Sequence, residues 1–158
     1  LNVFRMFGLM SGNRVKTTSS GIVPLDNLLT SGVRQSPDID AFATRADKEA
    51  AVLVWNYHDV NQPAEASPTT VTISGIPSGV HRVLLQHFRI DDTHSNAYTV
   101  WQHMGSPQHP TSQQYAKLQT AGQLQLFTSP RWVEVNDGQV KITTEMPRQG
   151  ISLLHLTW

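Results

Sequence analysis

The sequence predicts an all-β chain: an antiparallel β-sandwich with an inserted loop–helix segment and a short N-terminal helix. Three observations carry that prediction. Short apolar or alternating runs recur between residues 39 and 156, each bounded by Gly, Pro or Asx. There is no βαβ alternation and no internal repeat. One long block, residues 89–124, follows a plausible buried strand and is dense in His, Asn, Tyr, Trp and Gly. A domain that needed only a core would not require such an insertion, and loops of this length usually carry function or dock against something.

Taken in order, residues 2–10 place Val3, Phe4, Met6, Phe7 and Met10 at helical spacing, with Gly12 as a stop. No other segment is marked out to cover this apolar face, so the helix reads as a piece of a larger core. Beyond a polar stretch, Ile39, Ala41 and Ala43 share one face of a strand that runs to Thr44. Asp47-Lys48-Glu49 forms a turn. Ala51–Tyr57 is a buried strand by its continuous apolar run, and residues 61–68 form a Pro-bearing loop. Val71 and Ile73 alternate with Thr70 and Thr72 until Gly75, Pro77 and Gly79 break the pattern. Arg82–Ile90 is another strand. Thr111 caps a helix over 112–121, with Gln114 completing a capping box, Pro110 before it and Gly122 at its end. Residues 132–136 alternate, Asp137-Gly138 makes a tight hairpin turn into Val140–Thr144, and Ile151–Leu156 is the last strand.

Composition narrows the function classes. The 158 residues suffice for one stable core. Twelve basic and twelve acidic side chains cancel, leaving no electrostatic footprint for nucleic acid or an anionic membrane. Only 15% of residues are charged, against about 25% in typical domains, which fits a surface partly covered by something else or one rich in Ser, Thr and Gln. The absence of cysteine excludes disulfides, thiolate metal sites and Cys nucleophiles. No apolar run approaches a membrane span and no signal peptide is evident. The chain starts at Leu1 rather than Met, as expected of a processed, trimmed or fragmentary polypeptide.

Few constellations suggest chemistry. Seven histidines invite a metal, but His81 and His87, at even spacing in one strand, lack a third ligand at a metal-like interval, and no cofactor is expected. Asp91, Asp92 and His94 resemble an acid–base set. Their expected role is structural, with the Asx side chains capping the strand end and His94 bonding to backbone. Ser19 and Ser20 lie outside any nucleophile elbow, and there is no phosphate loop. The aromatics Trp55, Tyr57, Trp101, Tyr115, Trp132 and Trp158 favour core packing first, docking to another domain second and sugar stacking third.

The block closely resembles the C-terminal region of family 39 glycoside hydrolases, the bacterial β-xylosidases. Arg89-Ile90-Asp91, the run His94-Ser95-Asn96-Ala97-Tyr98, Trp101, Met104-Gly105-Ser106-Pro107, Tyr115, Leu118 and Ala121-Gly122-Gln123-Leu124 carry the resemblance. It implies that residues 1–12 are the last helix of a catalytic (β/α)8 barrel and that 13–158 are its accessory sandwich. It also implies a parent that releases xylose from xylo-oligosaccharides by double displacement, using two barrel glutamates with the acid/base in an Asn-Glu-Pro motif. Glu49, Glu65, Glu134 and Glu145 stand in no such context, so no catalytic residue transfers and the chain alone is expected to be inactive. His94, Asn96, Tyr98 and Trp101 are the candidates for docking to the barrel or touching a xylo-oligosaccharide. The expected partner is the barrel of the same polypeptide, with self-association through the N-terminal helix as a further expectation, in a periplasmic or secreted setting. The α-L-iduronidases share the family as an alternative parent activity. A free-standing carbohydrate-binding or lectin-like module is the competing reading.

Overall fold

The computed structural model describes residues 1–158. In chain order the elements are α1 (Asn2–Gly8), β1 (Asn13–Val15), α2 (Leu25–Ser31), β2 (Asp38–Arg45), β3 (Glu49–Tyr57), β4 (Ser67–Ser74), β5 (Arg82–Ile90), α3 (Ala97–His103), α4 (Ser112–Ala121), β6 (Gln125–Glu134), β7 (Gln139–Met146) and β8 (Ile151–Thr157). Six strands form one antiparallel sheet in the order β1-β2-β3-β8-β5-β6, and β4 pairs with β7 in a second, two-stranded sheet. The result is the predicted antiparallel sandwich, with unequal layers.

Period-2 alternation sends Ala43, Val52, Val54, Val83, Leu85, Leu154 and Leu156 of the large sheet toward Val140, Ile142 and Met146 of the small one, and these residues form the main core. The opposite face of the large sheet is also buried at its centre. There Ala51, Leu53 and Leu153 pack against Met6 of α1, with Trp55, Phe88 and Ile90 around them. Burial on both faces explains why β3 is a continuous apolar run rather than an alternating one.

This packing corrects the expectation that nothing in the chain covers the N-terminal helix. Met6 is fully buried and Asn2 nearly so, while Phe4 is 74% exposed. At 3.6 residues per turn Asn2, Met6 and Met10 line one side, and Phe4 lies roughly 200° around the axis from Met6. Phe7 sits on the flank, edge-on to Phe42 with ring centroids 6.4 Å apart.

Other boundaries differ for physical reasons. Asp137 and Gly138 adopt φ of 51° and 69°, as a tight two-residue turn requires. The strands they join do not form a hairpin, however. One bridge, Asn136 to Gln139, is all they share before β6 continues in the large sheet and β7 in the small one. Strand β6 begins at Gln125, earlier than its alternation indicates, and tolerates Pro130 because it is an edge strand. The polar stretch after α1 contains β1 and α2, neither of which was predicted. Along it the Thr17 and Ser19 hydroxyls donate to the Ala41 and Ile39 carbonyls, so side chains extend the ladder beside β2.

Met6→Ala should therefore lower stability by about 2–5 kcal/mol, the usual range for emptying a buried Met site. Phe4→Ser should stay within roughly 0.5 kcal/mol of the parent chain. Urea unfolding with light scattering checks both, with the mass expected to stay at the 17.6 kDa monomer throughout.

Candidate functional site

The inward positions of β5 read Val83, Leu85, His87, Arg89, so the strand that starts apolar ends by placing two polar side chains in the interior. Arg89 is 2% exposed. Its guanidinium lies over the Phe127 ring at 4.2 Å and donates to the Glu145 carbonyl at 3.0 Å and the Thr144 hydroxyl at 2.9 Å, both on β7. The Asp91 carboxylate stands 3.8 Å away. Burial lowers the Arg89 pKa and Asp91 opposes that effect. An arginine remains cationic in either case.

Asp91 organises the turn that follows. Its Oδ1 accepts from the Thr93 amide (2.8 Å), the Thr93 hydroxyl (3.0 Å), the His94 amide (2.8 Å) and His94 Nδ1 (2.9 Å). Burial acts to raise the Asp91 pKa, but the hydrogen bonds from His94 and Thr93 outweigh it and the net shift is downward. Ser95, at φ 56°, donates its hydroxyl to the Arg89 carbonyl (2.7 Å) and accepts the Gln125 amide (2.8 Å), joining the two ends of the inserted block. Asn96 donates to the Asp91 carbonyl and caps α3 by accepting the Tyr98 and Thr99 amides. From there α3 and α4 run as a helical hairpin. The Thr111–Gln114 capping box and the helix over 112–121 are as predicted.

The four sequence candidates thus fall into two pairs. His94 and Asn96 are committed to the turn, and His94 bonds the Asp91 carboxylate rather than backbone as expected. Tyr98 is 62% exposed and stacks on the half-buried Trp101 at 5.7 Å and 29°, while Trp101 Nε1 donates to the Pro107 carbonyl at 3.0 Å. Those two rings are the part of the set free to meet another surface. Trp132 is 55% exposed, against the preference for core packing, with Arg82 over its ring at 4.6 Å. Sequence reasoning also missed a cleft of about 690 Å³ between β2 and β4. It is floored by Val52, Val54, Val71 and Trp158 and rimmed by Thr17, Ser19 and Thr70. The hydroxyl-rich run at 17–20 and the Thr–Val–Thr–Ile alternation of β4 were its only signals.

The carboxylates do not converge. Glu145 lies outward on β7 and Glu49 on the far face of the large sheet, bonded to His155 at 3.3 Å. Glu49 and Glu134 share that face but are three strand spacings apart, about 14 Å. Retaining hydrolysis needs roughly 5–5.5 Å and inverting hydrolysis up to about 9.5 Å. No three His, Asp or Glu side chains come together in a metal-like group. His81 precedes β5 rather than sharing a strand face with His87.

His87 donates to or accepts from the Ser152 hydroxyl at 2.9 Å in the interior. Burial, then the charges of Arg89, Arg131 and His94, lower its pKa to about 4 from the ordinary 6.5. A lowered folded-state pKa means that the unfolded chain binds the proton more readily between pH 6.5 and 4. Stability from this group is complete above pH 6.5 and falls as pH drops toward 4, by up to about 3 kcal/mol. His87→Gln should flatten that slope in urea midpoints measured from pH 7.5 to 4. An unchanged slope would contradict the assignment.

Comparisons with known proteins cover most or nearly all of the chain. The family model described as glycosyl hydrolases family 39 matches residues 1–139. The α-L-iduronidase of Mus musculus is 26% identical over 162 residues, covering 99% of this chain and 24% of that protein. A GH39 enzyme from Xanthomonas axonopodis pv. citri superposes over 99% of this chain and 29% of its own at a TM-score of 0.76 and 17% identity. A monomeric β-xylosidase from Caulobacter crescentus CB15 does so over 99% and 30% at a TM-score of 0.75 and 15% identity. The chain therefore spans between a quarter and a third of the length of these structures, and slightly less than a quarter of the iduronidase.

Proposed function

The chain belongs to glycosyl hydrolases family 39, and from that premise we propose that it is the C-terminal accessory sandwich of a retaining glycoside hydrolase. Residues 1–12 are the helix handed over from the catalytic barrel and 13–158 the domain that buttresses it. The observation that carries this reading is the α3–α4 hairpin. Neither helix has a single buried residue, although both are well capped. Helices whose residues are at most half-buried gain less from their own fold than fully packed ones, since most helical stability comes from tertiary packing. Beside the hairpin, Leu1, which precedes α1, and Phe4 of α1 are 98% and 74% exposed. These surfaces lie on one side of the sandwich and fit a second body that covers them together.

In this reading the hairpin and α1 meet the barrel, and Tyr98 with Trp101 reach the rim of its cleft, where a sugar ring can stack. The chain supplies neither of the two carboxyls, so the barrel performs the displacement. The parent activity we favour is release of xylose from xylo-oligosaccharides, in line with the resemblance of the 89–124 block. An iduronidase parent is the second substrate reading, supported by the mouse relative. A free-standing sugar-binding module is favoured only by the exposed Tyr98–Trp101 stack.

The isolated chain should not hydrolyse aryl β-xylosides or aryl iduronides. Added to a separately expressed family-39 barrel, it should bind saturably, and Tyr98→Ala should weaken that association or raise KM about ten-fold with little change in kcat. Calorimetry with xylobiose and soluble xylan on the chain alone should show no saturable heat. Sub-millimolar binding lost in Trp101→Ala would replace this reading with the sugar-binding module.

A further inference from the structure

Because the hairpin has no buried residue of its own, its direction is set at its two roots. Both roots are gripped by the same short helix. At the entry, the nearly buried Asn2 donates Nδ2 to the Ser95 carbonyl at 2.7 Å, one residue before the Asn96 cap of α3. At the exit, Arg5 Nη1 donates to the Gly122 carbonyl at 2.8 Å, where α4 ends. The same Nη1 donates to Asn2 Oδ1 at 2.8 Å, which ties the two grips together. Asn2 and Arg5 are three residues apart and so lie on adjacent turns of one helix side.

The roots are also close to each other. A Cβ built on Gly122 would lie 3.6 Å from the Ala97 side chain and 3.2 Å from the Leu118 carbonyl. Gly122 has an ordinary φ of −80°, and the approach to Ala97 is an ordinary van der Waals distance, so the two helix ends sit in direct contact there.

We infer that α1 is a two-point clamp, with Asn2 and Arg5 as the positioning residues that fix the α3–α4 hairpin, and with it the Tyr98–Trp101 pair, relative to the sandwich. The clamp is a property of this chain alone. Its consequence rests on the proposed docking: the helix arriving from the barrel would set the pose of the aromatic pair offered back to that barrel. Met6, the residue after Arg5, anchors the helix against Ala51, Leu53 and Leu153 of the sheet, so the clamp has a rigid base.

The lack of cysteine makes the test direct. Spin labels at His109→Cys, on the exposed hairpin tip, and Lys141→Cys, exposed on β7, report the hairpin's direction without background labelling. The parent chain should give one narrow distance distribution. Asn2→Ala with Arg5→Ala should broaden it about two-fold while the circular dichroism of the sheet is unchanged, as expected when a local contact is released without global unfolding. Arg5→Lys, which keeps a donor in reach of Gly122, should restore most of the narrow width. An unchanged width in the double variant would overturn the clamp. Should the double variant lose its sheet signal, Arg5→Ala alone, at an exposed position, gives the same two outcomes. Because the distances are read without any barrel, the clamp can fail while the docking proposal stands, and the reverse.

Discussion

The buried guanidinium of Arg89 is the interaction on which the rest of the architecture turns. The second layer has only two strands, and at its end the buried Met146 of β7 is joined by polar contacts that cross from the large sheet. Arg89 crosses from β5 to bond Thr144 and Glu145 there, and Asn56 on β3 donates to the Met146 carbonyl at 2.9 Å. Three consecutive residues of β7 are thus pinned by polar groups reaching across the core. The Arg89 carbonyl, on the same residue, accepts the Ser95 hydroxyl. The two layers and the inserted block are therefore referenced to one residue.

Such a charge is costly to bury unless its hydrogen-bonding groups are met and its field is balanced. Here the Phe127 face and two oxygens of β7 meet both Nη groups, and the Asp91 carboxylate at 3.8 Å balances the field. Nε alone is left without a partner, while the turn that Asp91 caps lowers that carboxylate's pKa. The neighbouring His87 is kept neutral by burial and by the same local excess of positive charge. The Arg89 charge thus adds to burial in lowering the His87 pKa, while the Arg89 carbonyl helps to place the inserted block.

The strands were legible because their apolar residues alternate or run continuously, and β5 and β3 fall close to where the pattern places them. The 112–121 helix was legible from Thr111 and Gln114, whose side chains state its start. Elements that bury nothing gave no such signal: α2 has no buried residue, and β1 is extended by Thr17 and Ser19 hydroxyls rather than by a hydrophobic face. Asp137-Gly138 disclosed the local backbone but not the sheet to which each flanking strand belongs, which long-range packing decides. Within the site, the four docking candidates differ in what the structure shows: His94 and Asn96 are hydrogen-bonded into the turn, the structural role expected of His94, whereas Tyr98 is exposed and stacks on the half-buried Trp101. Arg89 was visible only as part of a motif. Its role could have been read from the inward register of Val83, Leu85, His87 and Arg89, where a charged residue stands in an apolar column.

The most direct test of this account is the stability of Arg89→Met, a side chain of similar length that cannot bond to β7 or pair with Asp91. The account predicts a loss of about 3–5 kcal/mol in urea unfolding at pH 7.5, the range for breaking a buried charge pair. A change below about 0.5 kcal/mol, within the range of ordinary surface substitutions, would contradict it.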